Sequence, residues 1–121
     1  MKINPTTISL GNIAKSIKIE IEEYKLTNGL HVILHKDSSA PVVITSVMYH
    51  VGAKNEKLDR TGFAHFFEHL LFEGTTNIKR GEWFKMVTSN GGTNNANTNE
   101  DRTYYYEVFP SNNLELAIWM E

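Results

Sequence analysis

Three polar residues interrupt the apolar run from Phe63 to Phe72: His65, Glu68 and His69, which read His-x-x-Glu-His. On an α-helix, residues four apart lie about 40° apart around the axis and about 6 Å along it. His65 and His69 would therefore leave one face as neighbours, a turn apart. Two imidazoles at that separation can share one small cation at about 2 Å each. Glu68 falls beside His69 on the flank of the same face. From there a carboxylate can reach a water on such a cation without itself being a ligand, which is the placement a general base needs. The spacing is that of the zinc motif His-Glu-x-x-His in reverse.

Two readings of this stretch compete. A histidine pair on an otherwise apolar helix can be two core histidines with hydrogen-bond partners. Against that, burying three ionisable groups within one turn among Phe66, Phe67, Leu70 and Leu71 is unfavourable unless something compensates them. A divalent cation is the simplest compensation. A zinc enzyme of this kind needs three protein ligands and one open position, and the pair supplies two. His50 could add a third imidazole from the end of a strand. Glu73 lies about 12 Å along the axis from His65, too far to converge with it on one ion. Glu107, Glu115 and Asp101 have no spacing that selects them.

The elements that must position these residues follow from periodicity and turn chemistry. Residues 1–22 are polar with scattered Ile, an extended or partly ordered arm whose end (17–23) alternates like a strand. Asn28-Gly29 predicts a two-residue hairpin turn with positive φ at both positions. It would join a short strand at 23–27 to one at 30–35, in which His31 and His35 read as surface or sheet-edge residues. Val42 to Val51 is a nearly continuous apolar, β-branched run, as in a central strand covered on both faces. Asp59 or Thr61 is placed to cap the His-x-x-Glu-His helix. Trp83, Phe84 and Val87 mark a second helix that Asn90-Gly91-Gly92 stops. Residues 93–101 read from composition as a polar loop, and Thr103 to Phe109 as a strand. A last helix opens at Pro110-Ser111 and is still running at Glu121, which points to truncation. The expected fold class is α+β, with helices on one side of a mostly antiparallel sheet. Residues 23–121 would form the first part of a larger domain.

The stretch Gly62–Thr75 resembles the zinc-site helix of the pitrilysin family of inverzincins, which includes insulysin and mitochondrial processing peptidase. There the motif sits in a similar Ala-His-Phe-x-Glu-His frame ending in Gly-Thr, here Ala64 to His69 and Gly74-Thr75. A second match runs from Gly91 to Tyr106, and together the similarity covers most of residues 24–121. The resemblance implies a zinc metalloendopeptidase that cleaves peptides or unfolded polypeptides. His65 and His69 would bind Zn2+ and Glu68 would be the general base. It also implies that 95–98 is not a loop but an edge strand ending in Asn-Ala-x-Thr, with Asn95, Ala96 and Asn97 binding substrate. Asn97 stands where the family usually has an aromatic residue. The third ligand would be a glutamate about 75 residues after His69, on another helix beyond Glu121. The family's C-terminal domain would be absent too, so residues 1–121 alone would be inactive and would need the rest of the chain or a partner subunit. Such families also contain subunits that keep the fold and lose catalysis, so a silent peptide-binding or structural subunit is the alternative.

Composition narrows the partners. Net charge is −2 and the isoelectric point is near 6.2, so no basic field points to nucleic acid. Residues 1–60 carry eight Lys/Arg against six Asp/Glu, and residues 61–121 four against eight, with no like-charge block in either half. Cysteine is absent, which removes disulfides and thiolate ligands. No apolar run approaches a membrane span. The N-terminus shows no apolar signal segment, so bacterial periplasm and cytoplasm both stay open.

Overall fold

The computed structural model of the chain describes residues 6–8 and 19–121. They divide into two compact units, the first ending at Ala40 and the second running Pro41–Glu121.

The first unit holds a three-stranded antiparallel sheet of β1 (Thr6–Ile8), β2 (Ile19–Lys25) and β3 (His31–His35), in that order. The boundary expected after residue 22 falls inside β2, and the strand expected at 23–27 is the continuation of the same element. Apart from β1, the rest of the expected arm lies outside the described residues. The turn also differs from expectation. Gly29 N–H bonds the Leu26 carbonyl at 3.0 Å, and Leu26 N–H bonds that of Leu30 at 2.8 Å. This is a three-residue loop with its bulge at Gly29, whose φ is +95°. Asn28 keeps a negative φ. Its carboxamide accepts the Leu30 N–H at 3.1 Å, so local hydrogen bonding selects the longer loop. His31 and His35 are exposed on the edge strand β3, as expected, with His31 Nε2 2.6 Å from Glu23 Oε1 and His35 Nδ1 2.8 Å from the Glu20 carbonyl.

The second unit is built on an antiparallel sheet of β4 (Val42–Tyr49), β5 (Thr93–Thr98) and β6 (Thr103–Pro110), ordered β4-β6-β5. Three helices, α1 (Phe63–Leu70), α2 (Glu82–Ser89) and α3 (Leu114–Met120), pack on it. They cover the face that carries Tyr105, Glu107 and Phe109 of β6. Phe109 is the hub: it is fully buried among Ile78, Trp83, Val87, Ala117 and Met120. The α2 stop follows from Asn90-Gly91-Gly92. Gly91 takes φ +71°, which lets its N–H reach the Thr88 carbonyl at 3.1 Å and the Gly92 N–H reach that of Val87 at 2.9 Å.

The apolar run 42–51 does not form the central strand. β6 is central, and β4 lies at an edge with Ile44 63% and Met48 64% exposed. The run lacks alternation because β4 carries apolar residues on both of its faces. Val42, Ile44 and Met48 share the outer face with Pro110, Val108 and Tyr104 in register. On α3, Met120 is buried in the core, while Leu114 and Ile118 are exposed. No helix among the described residues is long and apolar enough to cross a membrane.

Candidate metal centre and peptide-binding edge

Helix α1 begins at Gly62 without a side-chain cap from Asp59 or Thr61. The capping group is Glu56, whose carboxylate accepts the backbone N–H of Gly62 and that of Ala64, each at 2.7 Å. Hydrogen bonds from Ala64 and then Gly62 hold this carboxyl below its ordinary value. The loop from 57 to 60 closes on itself through a Lys57–Arg60 bridge. A carboxylate reaching across that loop to a helix N-terminus has no short sequence signature, because capping motifs act within three residues.

The helical spacing brings the two imidazoles together. His65 Nε2 and His69 Nε2 lie 3.0 Å apart, with ring centroids 4.7 Å apart and planes at 45°. Two nitrogens sharing one tetrahedral ion at about 2 Å would stand roughly 3.3 Å apart. The pair therefore fits two positions of a small divalent cation without moving the helix. Among the described residues, no group of three or more His, Cys, Asp or Glu side chains could hold a metal ion. The other candidates are engaged elsewhere. His50 Nε2 lies 3.1 Å from Asp101 Oδ1, which also pairs with Lys54. Glu73 pairs with Arg80. Glu107 is buried beneath the helices and accepts from Thr45 Oγ1 at 3.3 Å, and Glu115 is exposed on α3.

The two imidazoles are not buried, contrary to expectation. His65 and His69 are exposed, and so are Phe66, Phe67, Leu70 and Leu71. Only Glu68 is buried, at 8% exposure. α1 turns Ala64 and Glu68 towards the sheet and leaves the residues between them outside. Pairing geometry carries the metal reading here, and burial of the imidazoles does not. Glu68 Oε2 accepts the Thr98 hydroxyl from β5, a contact between residues thirty positions apart. Tyr105 lies under the same region; burial, and next the charge of Glu68, push its phenol up to about 12.

Residues 93–98 form a strand rather than a loop. Among the described residues, β5 pairs with β6 on one side only, with Asn95 opposite Tyr106, Ala96 opposite Tyr105 and Asn97 opposite Tyr104. Asn95 and Asn97 are exposed on the outer face, whereas Ala96 and Thr98 face the helices and are half-buried. The Ala96 N–H is taken by Asn95 Oδ1 at 2.9 Å. β5 packs against α1, so an open strand edge and the imidazole pair belong to adjoining elements.

A model of the insulinase family, Peptidase family M16, matches residues 31–120. The chain is 35% identical over 113 residues to the zinc protease PqqE of Helicobacter pylori, covering 93% of this chain and 26% of that protein. It is 32% identical over 119 residues to human insulin-degrading enzyme, covering 95% of this chain and 12% of that one. In three dimensions it resembles the crystal structure of a protease from Helicobacter pylori, with a TM-score of 0.82 and 36% identity, over 84% of this chain and 25% of that one. The chain thus spans about a quarter of the length of its bacterial relative.

Proposed function

The chain belongs to the insulinase family of peptidases, family M16, and on that premise we propose that it forms the first part of a zinc-dependent endopeptidase acting on peptides or unfolded polypeptides. The observation that carries this reading is the convergence of His65 Nε2 and His69 Nε2 at 3.0 Å, on the same helix as the buried Glu68. His65 and His69 would hold the ion, and a glutamate outside residues 1–121 would complete its ligands. The names of the relatives support zinc as that ion. When bound, zinc supplies Lewis-acid polarisation of the scissile carbonyl and makes water acidic enough to ionise near neutral pH.

The rest is done by side chains and backbone of this chain. Glu68 takes the proton from the attacking water on its carboxylate and returns it to the leaving nitrogen. Its burial keeps solvent from competing for that carboxylate. An extended peptide adds to the open edge of β5 through backbone hydrogen bonds, which reads shape more than side-chain identity. To bond the Ala96 N–H, the peptide displaces the Asn95 carboxamide.

The test is Glu68→Gln in the full-length protein. It should bind zinc as the parent does and lose peptide hydrolysis. Activity at the parental level would remove Glu68 from the mechanism.

A further inference from the structure

Three hydroxyl and carboxylate contacts where α1 meets the sheet have a definite direction. Thr103 is buried, and its Oγ1 donates to the Val51 carbonyl at 2.9 Å. A hydroxyl has one hydrogen to give, so Thr103 has none left for Thr98, whose Oγ1 lies 3.4 Å away. Thr98 in turn has one hydrogen, and its closer acceptor is Glu68 Oε2. Thr103 and Thr98 also face each other in the β5–β6 register, which holds the two hydroxyls side by side. The carboxylate is thus tied at one oxygen only. Its Oε1 takes no hydrogen bond from the described residues.

We propose that Thr98 is a positioning residue for Glu68, a role that rests on the peptidase reading above. Its hydroxyl fixes the carboxylate rotamer through Oε2 and leaves Oε1 as the atom that exchanges the proton. Thr98 is also the last residue of β5, the strand whose edge is open to a peptide. The substrate strand and the base are therefore joined through one side chain. A carboxylate without this tie would sample rotamers that point Oε1 away from the scissile bond, and a small displacement of a reacting group is expensive in rate. The loss should appear in turnover, because the peptide binds along the β5 backbone whether or not Glu68 is ordered.

The experiment compares Thr98→Val, Thr98→Ala and Thr98→Ser with the parent in the full-length protein. It measures kcat and KM on an unstructured peptide, bound zinc, Tm, and amide exchange over residues 66–70 in the zinc-free state. Val and Ala should lower kcat about ten- to a hundredfold, the range for losing a hydrogen bond to a charged group. KM should stay within about twofold and zinc should be retained. Amide exchange should rise several-fold, because a tie between α1 and β5 is gone. Ser, which restores the hydroxyl, should bring kcat back to within about threefold of the parent. Val is close in shape to Thr, and Ala decides by the same criteria if Val fails to fold. Parental kcat in both variants, or a kcat loss that Ser shares, overturns the proposal while the parent's own hydrolysis keeps the peptidase reading in place. A parent that binds no zinc and cleaves nothing overturns both.

Discussion

Glu56 Oε1 accepts the backbone N–H of Ala64 at 2.7 Å, directly before His65 in the chain. The contact ties the start of α1 to a carboxylate eight residues upstream, and the same carboxyl also accepts from Gly62. Both bonds favour the ionised form, so its folded-state value lies below 4.5. A depressed carboxyl contributes stability that is present above its ordinary value and is lost as pH falls through the folded value. Glu56→Gln should therefore lower Tm at neutral pH by a few degrees and flatten the decline in Tm between about pH 6 and pH 3. An acid slope identical to the parent's would show that this cap adds nothing.

Glu107 predicts the opposite sign. It is 0% exposed on the central strand, with Oε1 unpaired. Burial, and then the Glu121 carboxylate, push it from 4.5 up to about 9. A raised carboxyl contributes its full stability below 4.5, and that contribution falls as pH climbs towards 9, because the unfolded chain releases the proton first. Glu107→Gln keeps the neutral shape. It should raise Tm by several degrees at pH 8 and have little effect at pH 4, as thermal unfolding at the two pH values will show. Equal shifts at both would place the effect in packing.

Ala96→Pro tests the open edge. Its N–H is engaged by the Asn95 side chain, so an edge-strand proline costs the fold little. A docking peptide would lose one backbone donor, which corresponds to about a five- to tenfold rise in KM. Zinc content should not change. Parental kinetics would mean that substrate does not pair with β5.

Metal affinity tests whether zinc ligands lie outside residues 1–121. Two imidazoles are fewer than the three protein ligands a catalytic zinc requires. Residues 1–121 should thus bind zinc at least a hundredfold more weakly than a protein extended to the length of its relatives, which an isothermal titration of each at neutral pH measures. Equal affinity would place every ligand within 1–121. No zinc on the longer protein would favour a silent peptide-binding subunit.

What was legible beforehand was local. The i, i+4 rule pairs His65 with His69 because an α-helix repeats every 3.6 residues. Asn90-Gly91-Gly92 ends α2 because glycine adopts the left-handed backbone there without strain. The peptidase family is carried by Ala64 to His69 and Gly91 to Tyr106, two contiguous stretches. The β-strand at 93–98 was readable only through that resemblance, since its asparagines have no strand pattern of their own.

Only the tertiary structure decided the rest, for one physical reason: each such feature is a pairing between residues far apart in the chain. Periodicity reports which residues share a face and cannot say which strand lies beside which. Val42–Tyr49 therefore resembled a central strand and is an edge, while β6 takes the centre. The same limit hid the Glu56 cap, the Thr98–Glu68 contact and the burial of Glu107. It also misled on the imidazoles. Phe and Leu around His65 and His69 suggested a buried turn, yet the sheet takes up only the Ala64 and Glu68 side of α1. Which side of a helix is buried depends on what it packs against, and for α1 that is β5 and β6, formed by residues at least twenty positions later in the chain.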